Sequence, residues 1–290
     1  MLKKLRNSIL VLSLVFLTGC VDQSGNQSEA LTIAASSVAV TEMLDALEVD
    51  ASQVIGIPSS ETYEVPERYK EATQLGSAMT PDMEILTKLN PQLIISPNSL
   101  ESDLQPQYEK IGISSAFVNL KSVSGMYKSI EDLGKKLNKE KKAEELINEY
   151  VSYMNTYQKT YKKSSPPTVL ILMGLPGSYV VATESSYVGD LVKLAGATNV
   201  YGDGDGTDFL TANPEDMLQK NPDIILRTSH ALPDQVQEMF EEEFKTNEIW
   251  SQFEAVKKNK VYDLDHENFG MSATFRYQEA LKELGELLYE

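Results

Sequence analysis

TPDMEILTKLNPQLIIS (residues 80–96) and TANPEDMLQKNPDIILR (residues 211–227) follow one plan. Each opens a short helix beside a proline, carries a glutamate, closes on Asn-Pro and runs into an apolar strand. The first reads as a helix over 80–90 with Thr80 as N-cap and Pro81 in the first helical position, the second as a helix over 213–221. The glutamate stands seven residues before the second proline in both, Glu84 to Pro91 and Glu215 to Pro222. That proline has no N–H to continue a helix, so the strands begin at 92–96 and 223–227. Two such units so far apart in one chain point to a duplicated lobe.

The flanking sequence carries the same alternation. LTIAA (31–35) reads as a strand, followed by a helix from Ser36 or Ser37, and QVIGIP (53–58) as a second strand. The other half has strands TVLILMG (168–174) and YVVAT (179–183), then helix GDLVKLAG, helix LPDQVQEMFEEEF, strand KVYDLD and a last helix. Strands alternating with helices predict an α/β fold with parallel sheets. Between the halves, residues 124–165 hold no proline and keep helical spacing through Ile130, Leu133, Leu137, Ala143, Leu146, Ile147 and Tyr150. That run predicts one long connector helix, ended by Pro166-Pro167. Its apolar repeat is too short and irregular for a coiled coil.

The N-terminus reads as a leader. MLKKLR is basic and Ile9 to Leu17 is apolar, a stretch of nine residues where a membrane span needs about 20. The pattern Leu17-Thr18-Gly19-Cys20 matches a lipobox, with Cys20 as the lipidated residue. Cys20 is the chain's one cysteine, so its lipidation leaves no thiol for a disulfide, cluster or thiolate site. The expected order is leader 1–19, flexible tether 20–30, N-terminal lobe 31–123, connector helix 124–165 and C-terminal lobe 166–290. Losing Lys3, Lys4 and Arg6 with the leader takes the formal charge from −17 to −20, which argues against nucleic acid and against an anionic membrane surface. An exported, lipid-anchored chain of two like lobes describes a solute receptor better than an enzyme. LPGSYV lacks the G-x-S-x-G elbow of α/β hydrolases, and two histidines are too few for a zinc or manganese cage.

One of those histidines, His230 in RTSHALPD, follows a strand's C-terminal end, where open α/β sheets place their ligands. Met79, in LGSAMTPD, stands just before the helix cap read at Thr80. His266, in DLDHENFG, also follows a strand end.

Over nearly all the mature chain the sequence resembles the heme-binding lipoproteins of iron-regulated surface determinant systems, in the helical-backbone class of ABC solute-binding proteins. The resemblance is densest in VLILMGLPGSYVVAT (169–183), YVGDLVKLAG (187–196), NPDIILR (221–227), MFEEEFKTNEIW (239–250) and FEAVKKNKVYDLD (253–265). It implies two Rossmann-like lobes with one heme held in the cleft between them and delivered to an ABC permease with its ATPase. The family's axial Met and His match Met79 and His230, and a thioether with an imidazole is a sound pair for heme iron. No CxxCH is present, so the heme would be a non-covalent heme b. The resemblance places the propionates on Val38 and Ala39 in the first helix and on Ser60 and Glu61, the last through its main chain. Tyr179 and Tyr187 are porphyrin contacts or hairpin and core residues, and Met271 reads as packing. His266 matches no axial position. The resemblance also implies permease docking through Glu84 and Glu215, a cell-wall heme donor, a monomer and a place on the outer face of the membrane. Within the same fold the alternative cargo is a ferric siderophore or cobalamin, whose sites favour Arg and Trp; the one Trp, Trp250, reads as lying in a surface helix.

Overall fold

The computed structural model describes residues 30–60, 63–161 and 165–289. The first lobe contains β1 (Ile33–Ala35), α1 (Val38–Ala46), β2 (Val54–Ile57), β3 (Thr73–Gln74), β4 (Gly76–Ser77) and β5 (Thr80–Pro81). It continues with α2 (Met83–Leu89), β6 (Leu93–Pro97), α3 (Glu101–Lys110) and β7 (Ser115–Val118). Among the described residues five of these strands form one parallel sheet in the order β3-β2-β1-β6-β7. β1 and β6 are buried along their whole length. A strand covered on both faces reads as a continuous apolar run, which is how IAA and LIISP look in the sequence.

The second lobe contains β8 (Thr168–Leu175), β9 (Ser178–Ala182), α6 (Tyr187–Leu194), β10 (Thr198–Asn199), β11 (Phe209–Thr211) and α7 (Pro214–Lys220). After these come β12 (Ile224–Ser229), α8 (Pro233–Thr246), α9 (Glu254–Lys257), β13 (Val261–Asp263) and α10 (Tyr277–Tyr289). Its sheet runs β11-β9-β8-β12-β13, with β10 paired to β8. The expectation of parallel sheets in both halves needs one correction here. β8 turns back on β9, and β9 pairs antiparallel with β11. The cause is local: Pro176 and Gly177 separate the two strands, and Gly177 takes φ +79°, so the chain reverses within two residues.

The duplicated unit is present in both lobes. Asp82 caps α2, its carboxylate accepting from the N–H groups of Glu84 and Ile85, and Asn213 caps α7 through Glu215 and Asp216. Both helices end on an asparagine in the left-handed region, Asn90 at φ 49° and Asn221 at φ 46°. The first cap is thus Asp82, not Thr80.

The connector is two helices, α4 (Val123–Lys136) and α5 (Glu140–Tyr161), where the sequence spacing led to one. Leu137 closes α4, and Asn138 follows with φ 56°, a conformation asparagine tolerates and most residues do not. The helices then pack on each other so closely that a Cβ on Gly134 would lie 2.7 Å from that of Ala143. α5 continues the chain to the second lobe, and its tyrosines seat on α10: the Tyr153 and Tyr157 hydroxyls donate to the carbonyls of Gln278 (2.8 Å) and Leu281 (2.7 Å). Among the described residues no helix is long and apolar enough to cross a membrane.

Candidate functional site

Between the lobes lies a cleft of about 600 Å³, within the usual size of a small-molecule site. α1 forms one wall. Ser37 caps it, the hydroxyl accepting from the Val40 N–H at 3.4 Å, and its first-turn residues Val38 and Ala39 face the cleft. The first N–H groups of a helix have no partner within it, so this end offers donors and positive potential to an anion. The wall is backed by a buried chain in which the Ser36 hydroxyl donates to Ser96 at 2.8 Å and Ser96 meets the Tyr108 hydroxyl at 3.1 Å.

Met79 reaches the cleft from the tip of the β4–β5 hairpin, not from the mouth of a helix. Gly76 (φ 89°) begins the reversal, the Ser77 and Thr80 hydroxyls pair at 2.8 Å, and the Asp82 N–H donates to the Leu75 carbonyl at 2.6 Å. Met79 is left 67% exposed. Burying a methionine is worth roughly 1.5–3 kcal/mol, so one held out by a constrained turn is placed for contact with something else. Met271, 39% exposed, lines the same cleft.

His230 comes from the opposite lobe, one residue beyond β12. Its N–H donates to the Gly174 carbonyl at 3.0 Å, which extends the β8–β12 pairing and fixes the backbone beneath the ring. The ring opens on the cleft. Burial of its remaining faces lowers its pKa and favours the neutral imidazole, the form that binds metal.

Ser60 also lines the cleft, and its hydroxyl accepts from the Tyr63 N–H at 3.0 Å. The Tyr63 hydroxyl, beside the cleft, donates to the His266 carbonyl at 3.2 Å and joins the two lobes. Glu61 and Cys20 lie outside the described residues. Glu84 and Glu215 are exposed, each in the second position of its helix.

Three other sequence candidates do not line the cleft. The His266 side chain lines a second pocket with Arg227 and Asp263, its Nδ1 3.8 Å from the Asp265 carboxylate. Tyr187 is fully buried, and the Tyr179 hydroxyl donates to Glu243 at 3.0 Å inside the second lobe. Trp250 is corrected from surface to core: it is fully buried and donates to the same carboxylate at 3.0 Å.

Sequence reasoning missed Glu42, Glu267 and Arg276, all of which line the cleft. Arg276 donates to Glu267 at 2.7 Å. None sits in a recognisable motif, and only the ring of elements around the cleft brings them together. Among the described residues no three His, Cys, Asp or Glu groups lie close enough to hold a metal ion by themselves.

Residues 33–267 match the periplasmic binding protein family. The high-affinity heme uptake system protein IsdE of Staphylococcus aureus is 40% identical over 287 residues, which cover 98% of this chain and 97% of that protein. A crystal structure of an ABC transporter substrate-binding protein from Listeria monocytogenes EGD-e superposes with a TM-score of 0.84 at 43% identity, over 90% of this chain and 99% of that one. The crystal structure of S. aureus IsdE complexed with heme gives a TM-score of 0.83 at 39% identity, with the same coverage of each chain.

Proposed function

The chain belongs to the periplasmic binding protein family, and on that premise we propose that it captures heme between its lobes and delivers it to an ABC permease for heme-iron uptake. The observation that carries the reading is the convergence of Met79 from one lobe and His230 from the other on one cleft. A flat macrocycle between them is gripped on both faces, with thioether sulfur and neutral imidazole as the axial ligands of the iron. The relative whose crystal structure holds heme supports this cargo.

Val38 and Ala39 offer first-turn N–H groups to the propionates, with Ser60 and the main chain of Glu61 completing that end. The heme is a non-covalent heme b, carried as cargo. The chain acts as a monomeric receptor without chemistry of its own. Cys20 carries the lipid that holds it on the outer face of the membrane, where a cell-wall protein hands over heme. Glu84 and Glu215, at equivalent places in the repeat, meet the permease, whose ATPase drives transport.

An absorption titration of the purified protein with hemin, beside a panel of ferric siderophores and cobalamin, tests the reading. The expected result is a saturable one-to-one Soret shift with hemin alone. Binding of a siderophore or cobalamin without hemin would move the cargo to that class.

A further inference from the structure

We propose that heme capture loads a proton onto Glu42, so that this residue sets the charge of the ligand the cleft accepts; the inference rests on the heme reading above. Glu42 follows Val38 by one helical turn on α1, and both line the cleft. Side chains so spaced stand roughly 5–6 Å apart at Cβ, on one face of the helix. A propionate received by the N–H groups of Val38 and Ala39 therefore arrives next to the Glu42 carboxyl. Two carboxylates so placed repel unless one holds a proton.

The surroundings favour Glu42 as the group that takes it. Its Oε2 is buried without a hydrogen-bond partner, an expensive state for an ionised oxygen. A protonated Glu42 instead gives the propionate a donor. Arg276 is the one cation among the described residues lining the cleft, and Glu267 already engages it. The Tyr63 and Tyr187 hydroxyls stand near Glu42 as neutral groups, and His230 faces the cleft as a neutral imidazole from the other lobe. Burial raises the Glu42 pKa, and the Arg276 charge offsets that only in part. A ligand bearing propionates adds negative charge and raises it further. The proton comes from solvent, so capture is proton-consuming and strengthens as pH falls between the free and bound pKa values of Glu42.

The test is a titration in weakly buffered solution with a pH-indicator dye, using hemin and its dimethyl ester as separate probes. Wild-type protein should take up about one proton more per hemin than Glu42→Gln, and its Kd should change by up to about tenfold per pH unit within that window. The ester, which lacks free carboxylates, should abolish the difference. Equal uptake by wild type and Glu42→Gln, or undiminished uptake with the ester, would overturn the proposal. The hemin-against-ester comparison on wild type decides it if the variant does not fold. Absence of any Soret shift with hemin would remove the heme reading and this inference with it.

Discussion

Tyr127 and Tyr150 stack with ring centroids 4.5 Å apart and planes 13° from parallel, clamping α4 to α5. Tyr277 of α10 meets both rings edge-on, at 6.0 and 5.8 Å, and its hydroxyl accepts a hydrogen bond from the Tyr127 hydroxyl at 3.3 Å. Offset-stacked and edge-on contacts are the favoured geometries of aromatic pairs. One cluster thus ties the connector to the last helix of the second lobe. Tyr127→Ala should cost about 3–5 kcal/mol, as large aromatic truncations in cores do. Tyr127→Phe keeps the stack and should cost about 1 kcal/mol for the lost hydrogen bond. Urea unfolding of both variants checks this; equal losses would deny the stack its role.

Met79→Ala should turn the spectrum of the heme complex from six-coordinate low-spin toward high-spin while binding persists, because the cleft still covers the porphyrin. His230→Ala should weaken retention more, since imidazole is the stronger donor to ferric iron. Absorption and magnetic circular dichroism spectra report the ligation directly. Unchanged spectra in both variants would remove these residues as ligands.

Glu84 and Glu215 stand in equivalent first turns, where an acid also favours the helix dipole by roughly 0.3–1 kcal/mol. Exposed charges at a docking rim act on association rate and salt dependence. The double variant Glu84→Ala/Glu215→Ala should bind hemin like wild type yet fail to support growth on heme as the iron source. Normal growth at wild-type protein abundance would separate these residues from permease docking.

Asp190 of α6 accepts the Val123 N–H at 2.8 Å, tying the first residue of α4 to the second lobe. Burial raises its pKa, and the Val123 hydrogen bond pulls it back in part. A carboxyl raised in the folded state contributes stability that is fully present below its unfolded pKa and is lost as pH rises through the folded value. Asp190→Asn removes the buried charge and keeps an oxygen for Val123. Its stability relative to wild type should therefore be higher at neutral pH than at acid pH, with the change centred above the ordinary aspartate range. Thermal denaturation at several pH values measures it; a difference that does not vary with pH would refute the assignment.

The sequence alone determined what depends on a few consecutive residues. The Asn-Pro stops, the apolar runs of β1, β6, β8 and β12 and the place of His230 past a strand were legible, because proline geometry and apolar burial act within a turn or a strand. The resemblance supplied Met79 as a candidate through its neighbours in the chain. What needed tertiary structure were choices between locally acceptable states. Residues 76–82 could begin a helix at Thr80 or form a hairpin; the pairing of Gly76–Ser77 with Thr80–Pro81 and the bond from Asp82 to Leu75 select the hairpin and carry Met79 to its tip. Residues 124–165 kept helical spacing throughout, and the packing of tyrosine on tyrosine turns that run into two helices at Asn138. His230 and His266 both follow strand ends, yet the first opens on the cleft and the second on another pocket. Glu42 and Arg276 meet at one cleft from nearly opposite ends of the chain. Spacing carries no record of such a meeting, because it exists only once both sheets have brought the ends of their strands to a common mouth.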